Sequence, residues 1–161
     1  MKYVVDTCSL LEGAILRNYE KEYFPVHWEN FDLKVDQGII VSTSLVYKEL
    51  KYQDDEFYQW AKNRKDIFKP PCGEVQKVLT DLFNTFPKWA KHNYNQKFTW
   101  ADPELIAFAK VYNLVLVTQE KQPTIPLEEE RYKIPTICKN YGVGCIDILE
   151  LIKREKLHIH L

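Results

Sequence analysis

The sequence predicts an α/β protein built around a mainly parallel sheet, and two observations lead to this prediction. Short apolar runs with strand character alternate along the chain with segments whose apolar residues have helical spacing. The run "LVLVT" at 114–118 is apolar at consecutive positions, which is typical of a strand covered on both faces. Strands that alternate with helices indicate parallel pairing, and ligands bind such sheets at the carboxyl ends of the strands.

Three further runs are predicted to complete the sheet. "KYVVD" at 2–6 is predicted to be the first strand and "GIIVS" at 38–42 the second. "VGCI" at 143–146 is predicted to add a last strand near the end of the chain. Each run is short and apolar, so each fits a buried position in the sheet.

The predicted helices begin at recognisable caps. A serine or threonine at 42–44 is expected to cap the helix that follows the second strand. Asp102 stands at a cap position and Pro103 suits the first turn, so this is the clearest helix start. Asp147 is expected to cap the last helix. The predicted helices are 42–50, 54–68, 74–86, 101–113 and 147–156.

Length and composition are those of an ordinary globular domain. With 161 residues, 45% hydrophobic and 28% charged, the chain is expected to form one domain, 1–161, around a sizeable core. Its apolar runs are far shorter than a membrane span and no leader-like segment is recognisable, so we expect a cytoplasmic protein without a membrane partner. The four cysteines match no zinc-binding spacing and are expected to be reduced thiols.

One stretch of the chain is suited to contact nucleic acid. The formal net charge is −1, so attraction to a phosphate backbone has to be local. The stretch 87–100, "PKWAKHNYNQKFTW", has four aromatic residues and no acids, and its lysines are Lys88, Lys91 and Lys97. Lysines bind phosphates and exposed aromatics stack on unpaired bases, which suits single-stranded RNA. The alternative is a solvated loop whose aromatic residues pack inward.

Four acidic residues fall where this architecture would gather them. Asp6 ends the first strand, Glu49 lies in the helix after the second, Asp102 begins a helix, and Glu120 closely follows the strand at 114–118. Each has a simpler explanation alone, as a helix cap or as a surface charge. Together these explanations weaken, because carboxylates at one sheet edge repel one another unless they share a cation.

The type of ligand indicates the type of metal and reaction. Carboxylate oxygens without a histidine or cysteine companion suit Mg²⁺ or Mn²⁺ rather than zinc. Such an ion polarises a phosphodiester, orients water and stabilises the departing oxygen. The acids therefore indicate hydrolysis of a nucleic-acid backbone as the most natural chemistry.

Four segments carry a resemblance to a known family. The most specific are an aspartate that follows an apolar strand and precedes Thr and Ser, and the pattern Ala-Asp-x-x-Leu-Ile-Ala. The chain resembles the PIN-domain family of metal-dependent nucleases, many of them toxins of bacterial toxin–antitoxin pairs, and within it a less characterised branch with a similar tail at 133–152. The segments are "VVDTCSLL" at 4–11, "SLVYKEL" at 44–50, "WADPELIAFA" at 100–109 and "LVLVTQE" at 114–120.

This resemblance implies a fold, a site and a cofactor. The implied fold is a PIN-like Rossmannoid three-layer sandwich, and the implied cofactor is Mg²⁺ or Mn²⁺. Thr7 or Ser9 would hold Asp6 or a water, and Thr118 would steady the turn that bears Glu120. The family commonly has Thr-x-Asp where this chain has Thr118-Gln119-Glu120, and often another acid where Gln122 stands. The implied metal-binding and catalytic acids are Asp6, Glu49, Asp102 and Glu120.

The resemblance therefore implies an endoribonuclease that cleaves single-stranded or structured RNA, the toxin of a toxin–antitoxin pair. Its expected partners are RNA, a cognate antitoxin protein and a second copy in a homodimer. Two alternatives stay open. One is a catalytically silent module of the same fold that binds RNA or a protein. Asp6, Glu49 and Asp102 argue against this module, and the departures at Glu120 and Gln122 keep it open. The other is cleavage of DNA or of a structured nucleic acid, because the same site acts on either backbone.

Overall fold

A five-stranded sheet in which every adjacent pair of strands is parallel forms the centre of the molecule. The computed structural model describes residues 1–11, 23–53, 55–96 and 99–158. Helices flank the sheet in a Rossmann-like three-layer arrangement, so the predicted α/β class is confirmed. The strands are β1 (Tyr3–Val5), β2 (Ile40–Thr43), β3 (Phe68–Lys69), β4 (Val115–Val117) and β5 (Cys145–Ile146).

The order of the strands determines where a ligand can enter. Across the sheet the order is β3-β2-β1-β4-β5, so the chain builds outward from β1 first to one side and then to the other. Val5 pairs in register with Val117, which brings the ends of β1 and β4 side by side. In open parallel sheets the crevice for ligands lies at this reversal, outside the carboxyl ends of the two strands.

The helices connect these strands and cover the sheet. Within the described ranges, no helix has the length and apolar composition to cross a membrane. Among the described residues, short 3₁₀ turns also occur at Lys65–Ile67 and Glu129–Arg131. The α-helices are α1 (Thr7–Leu11), α2 (Pro25–Asp36), α3 (Ser44–Gln53), α4 (Asp55–Asn63), α5 (Gly73–Thr85), α6 (Pro87–Gln96), α7 (Asp102–Tyr112), α8 (Ile134–Tyr141) and α9 (Ile148–Glu155).

Burial explains why the strand runs are continuous rather than alternating in polarity. All three residues of β1 are fully buried, and α7 is buried at every position from Pro103 to Ala109. A strand packed between two helical layers has no solvent face, so both sets of side chains are apolar. The apolar runs from which these strands were predicted are therefore apolar because they lie in the core.

Several local predictions differ from the structure. Ser42 and Thr43 end β2, and although Thr43 directly precedes α3, its hydroxyl makes no cap hydrogen bond among the described residues. Phe68, the predicted end of a helix, begins the short strand β3, and α2 was not predicted at all. The basic and aromatic stretch is helical over Pro87–Gln96, where a solvated loop was the alternative interpretation. These differences arise because tertiary contacts override weak local preferences.

The cap of α3 comes from a distant part of the chain. Glu104, on α7, has only 4% of its surface exposed, although it is ionisable. Its Oε1 accepts a hydrogen bond from the Leu45 backbone N–H at 3.1 Å and lies 3.4 Å from the Ser44 hydroxyl oxygen. A carboxylate at a helix N-terminus also interacts favourably with the helix dipole. Glu104 therefore joins α7 to the helix that carries Glu49.

Replacing Glu104 by alanine is expected to lower the free energy of unfolding by about 1–3 kcal/mol, because the Leu45 N–H would lose its acceptor. Glu104→Gln keeps an acceptor oxygen and is expected to lose less. Urea unfolding followed by circular dichroism measures both. Glu74→Ala, which removes an exposed ion pair with Lys77 on α5, is the control and should leave the free energy of unfolding nearly unchanged. Equal losses for Glu104→Ala and this control would contradict the assigned cap.

Candidate active site

A cleft of about 540 Å³ opens at the carboxyl ends of β1 and β4, at the reversal of strand order. We call it the acidic cleft, because all four acids singled out from the sequence line it. Sequence reasoning did not identify the exposed Tyr52 or Thr99, which also form its wall. Its other lining residues are Asp6, Thr7, Cys8, Glu49, Asp102, Leu105, Glu120 and Ile134.

Asp6 occupies the innermost position because β1 ends immediately before it. Its backbone N–H donates to the Val117 carbonyl at 3.1 Å, which continues the pairing of β1 with β4. Its Oδ1 accepts from the Ser9 N–H at 2.7 Å, so Asp6 caps α1. Asp6 is 4% exposed. The same side chain thus both begins α1 and contributes a carboxylate to the floor of the cleft.

Burial determines the protonation of Asp6. Burial is the largest cause that raises the pKa of Asp6 to about 7, and the negative charge of Asp102 contributes a smaller part of the same rise. Hydrogen bonds from Thr118 and Ser9 act in the opposite direction but do not compensate for the loss of water. Among the described residues, no lysine, arginine or histidine forms an ion pair with Asp6. A bound cation would therefore stabilise the charged form that burial disfavours.

Glu49 connects two helix starts beside Asp6. It lies on α3, and its Oε1 accepts from the Ala101 N–H at 2.9 Å, immediately before α7. Its other oxygen accepts a short hydrogen bond from the Thr7 hydroxyl. Of the two residues predicted to support Asp6, Ser9 contacts it directly, whereas Thr7 contacts Glu49.

Asp102 is the first residue of α7, and the residue at its N-cap is Ala101. The expectation that Asp102 caps this helix is therefore wrong by one position. Its Oδ2 instead accepts from the Trp100 indole N–H at 2.8 Å. This contact places the Asp102 carboxylate in the wall of the acidic cleft, close enough to Asp6 to interact electrostatically.

Glu120 stands in the turn after β4. Its backbone N–H donates to the Thr118 hydroxyl oxygen at 3.1 Å, the arrangement expected for a residue that steadies this turn. Its Oε2 accepts from the Ile134 N–H at 2.7 Å, at the start of α8. Its Oε1 lies 3.7 Å from the Lys133 ammonium. Sequence reasoning did not identify Lys133, because an exposed lysine in a loop carries no distinguishing pattern.

The carboxylates that line the acidic cleft are the groups that could bind a metal. Among the described residues, no three acidic, histidine or cysteine side chains are grouped closely enough to hold an ion. Mg²⁺, however, is commonly held by one or two carboxylates and completes its shell with water. Asp6 and Asp102 provide two such carboxylates at the floor and wall of one cleft. The residues present therefore fit a hard divalent cation with a largely aqueous shell.

Two of the three predicted RNA-binding lysines, Lys88 and Lys91, lie beyond the acidic cleft. A second opening of about 390 Å³, which we call the side cleft, shares Asp102 and Glu120 with it. A third, of about 420 Å³, shares His92 and Glu130 with the side cleft and is lined by Lys88 and Lys91 of α6. Lys97 lies outside the described residues. Neighbouring openings therefore share wall residues, in a series that extends from the acids to α6.

A comparison with family models finds a match that covers nearly the whole chain. Residues 3–159 match the model described as "Domain of unknown function (DUF4411)". The chain belongs to the DUF4411 family. No curated protein matches this DUF4411 chain. The family description states no activity, so a function has to be argued from the site itself.

Asp6→Asn is expected to stabilise this DUF4411 protein at pH 8 without metal. The pKa of Asp6 in the folded protein, about 7, lies above its ordinary value of 3.8. Between these values the folded protein keeps a proton that the unfolded chain releases, so the contribution of Asp6 to stability falls as pH rises. Asparagine carries no charge, so it removes the free-energy cost of ionising a buried Asp6. This cost is about 1–4 kcal/mol at pH 8 and vanishes near pH 4.

Urea unfolding in chelator at pH 4.5 and pH 8 measures this difference. Asp147→Asn, which changes an exposed cap of α9 outside the acidic cleft, is the matched control and should show no gain at pH 8. A wild-type protein that exceeds Asp6→Asn in stability at pH 8 in chelator would contradict the role assigned to burial.

Proposed function

We propose that this protein is an endoribonuclease that depends on Mg²⁺ or Mn²⁺. One observation carries the proposal: four carboxylates line a single cleft at the strand-order reversal, and the innermost of them, Asp6, is buried. Negative charges gathered in this way are destabilising unless a cation joins them. A divalent ion on oxygen ligands, beside an open cleft, suits hydrolysis of a phosphodiester.

In the proposed mechanism, Asp6 and Asp102 would hold the ion. When bound there, it would supply positive charge near the phosphodiester and would lower the pKa of a water ligand. Ser9 and Thr118 keep the Asp6 carboxylate in place through their hydrogen bonds. Glu49 fixes the backbone at Ala101, directly before Asp102, and so keeps the second ligand aligned with the first.

RNA is proposed as the substrate because the openings next to the acids lead to a basic surface on α6. Lys88 and Lys91 are exposed on α6, and the side cleft joins their surface to Asp102 and Glu120. Exposed Tyr94, on the same helix, offers a ring on which an unpaired base stacks. The net charge of −1 makes this local basic surface the reason for attraction to a phosphate backbone.

The resemblance to PIN-domain nucleases extends the proposal to a biological setting. On that basis the protein is proposed to be the toxin of a toxin–antitoxin pair, acting in the cytoplasm, as a homodimer, and neutralised by a cognate antitoxin. A small DNA-binding protein encoded in the adjacent reading frame would support this setting.

A second candidate function is a catalytically silent module of the same fold that binds RNA or a protein. The observation that favours it concerns Glu120, whose two carboxylate oxygens already interact with the Ile134 N–H and the Lys133 ammonium instead of facing an ion. If all the acids served only as helix caps, the cleft would hold no ion. Metal binding therefore distinguishes the two candidates.

Asp102→Asn is expected to weaken Mn²⁺ binding by at least tenfold and to abolish RNA cleavage, because one of two carboxylate ligands becomes neutral. Calorimetric titration of Mn²⁺ into metal-free protein measures binding, and incubation with a mixed single-stranded RNA measures cleavage. Asparagine keeps an oxygen to accept the Trp100 N–H, so the fold is expected to survive. Asp147→Asn, outside the acidic cleft, is the control and should behave as the wild type.

Loss of binding and cleavage together in Asp102→Asn alone would support the nuclease. A wild-type protein that binds RNA but neither binds Mn²⁺ nor cleaves would make the silent module the better assignment. Cleavage of single-stranded DNA at the same rate as RNA would reject RNA as the specific substrate.

Replacing Lys88 and Lys91 by methionine is expected to weaken RNA binding and to flatten its dependence on salt. Each lysine that leaves a phosphate reduces the slope of log affinity against log salt by about 0.7 for a single strand, so the double variant loses about 1.4. Fluorescence anisotropy of an RNA in chelator, at several salt concentrations, measures the slope. Lys139→Met with Lys153→Met removes two exposed lysines elsewhere and should leave it unchanged.

A further inference from the structure

Glu120 and Lys133 form a pair at the boundary between the two clefts. Glu120 lines both the acidic cleft and the side cleft, and Lys133 lines the side cleft. The Lys133 Nζ lies 3.7 Å from Glu120 Oε1. Lys133 immediately precedes α8, whose first N–H, from Ile134, donates to Glu120 Oε2 at 2.7 Å. One carboxylate therefore holds both the start of a helix and a cation beside the acids.

These contacts make Glu120 a weak candidate for a metal ligand. An ion at this carboxylate would compete with the hydrogen bond from Ile134 and would approach the positive charge of Lys133. Within the described ranges, no third acidic side chain joins Asp6 and Asp102 to complete a ligand group. The positive charge that a second ion would supply is already present at this place, on Lys133.

We propose that Lys133 is a catalytic residue that contacts the scissile phosphate, that Glu120 is its positioning residue, and that the site uses a single divalent ion. This inference rests on the proposed nuclease function and assigns the residue that provides the second positive charge.

The geometry leaves Lys133 available to a phosphate. Its side chain is 52% exposed, and 3.7 Å between nitrogen and oxygen is longer than a hydrogen bond. Ion pairs of this exposed kind contribute little to stability, so moving the ammonium toward a phosphate costs little. Lysine binds phosphate as a point charge and needs no fixed orientation. Glu120 thus keeps the ammonium at the cleft boundary without immobilising it.

The proposed step is a balanced hydrolysis. The oxygen of a water bonds to phosphorus, and the bond from phosphorus to one ester oxygen breaks. One water proton ends on the departing oxygen, which becomes a hydroxyl, and the other dissociates from the new phosphate monoester into solvent. Negative charge increases on the phosphate oxygens during this exchange, and the Lys133 ammonium stabilises it there. A preorganised charge of this type commonly accelerates catalysis by 10²–10³-fold.

The first experiment measures metal binding, which does not depend on activity. Mn²⁺ is titrated calorimetrically into metal-free wild type, Glu120→Gln and Lys133→Met. One ion is expected per chain in all three, with Kd values within about threefold of one another, because neither replaced side chain is a ligand. Two ions in the wild type, or a tenfold loss of affinity in Glu120→Gln, would overturn the inference.

The second experiment measures steady-state cleavage of a single-stranded RNA in saturating Mn²⁺. Lys133→Met is expected to lower kcat about 100-fold with KM within threefold. Arg131→Met, in the same side cleft, is expected to raise KM instead. Lys139→Met, on the same helix as Ile134 but outside these clefts, is the matched control and should match the wild type.

A double-mutant cycle separates positioning from structural damage. If Glu120 acts through Lys133, the variant with Glu120→Gln and Lys133→Met should have the same kcat as Lys133→Met alone. Losses that multiply would overturn the assignment of Glu120. Unchanged kcat in Lys133→Met, in a wild type that binds Mn²⁺ and cleaves, would overturn this inference while the nuclease stands. A wild type that neither binds Mn²⁺ nor cleaves would reject the nuclease and this inference together.

Discussion

Three of the four acids at the site depend on one interaction, in which a carboxylate accepts a hydrogen bond from a backbone N–H at a helix start. Asp6 accepts from the first turn of α1, Glu49 from Ala101 at the start of α7, and Glu120 from the first residue of α8. Glu104 does the same for α3 from within the core. Helix N-termini carry partial positive charge, so they stabilise carboxylates that would otherwise repel one another. Parallel topology brings these helix starts to the same sheet edge.

Because of this interaction, the same acidic side chain can both cap a helix and bind a ligand. A cap uses one or two lone pairs of a carboxylate and leaves others for the cleft. For Asp6 the hydrogen bonds from Ser9 and Thr118 stabilise the charged carboxylate less than the loss of water on burial destabilises it. The pKa of Asp6 therefore stays at about 7. Glu120 is the opposite case, since both of its oxygens already face donors. Members of one acidic cluster therefore suit different roles.

A contact at the site could be predicted only where its two residues lie close together in the sequence. Asp147 caps α9 through a hydrogen bond within three residues of itself, so its local pattern was sufficient to predict the cap. Asp6 caps α1 over the same range, which is the simpler explanation that its position offered beside a metal-binding role. The start of α3 was predicted to be capped by a nearby serine or threonine, whereas the acceptor is Glu104 on α7. The core draws Ser42 and Thr43 into β2 and leaves the start of α3 to a partner that only the fold brings near.

By itself, the sequence determined the α/β class, the strands β1, β2, β4 and β5, and the acids near their ends, because the pattern of apolar residues is read directly from the chain. It also carried the resemblance on which the nuclease proposal draws. Only the tertiary structure decided which donors each acid meets. It placed Thr7 on Glu49 and Lys133 beside Glu120, and it joined the surface of α6 to the acids through the side cleft. Contacts between distant segments depend on how helices pack across the sheet, and no local pattern encodes that packing.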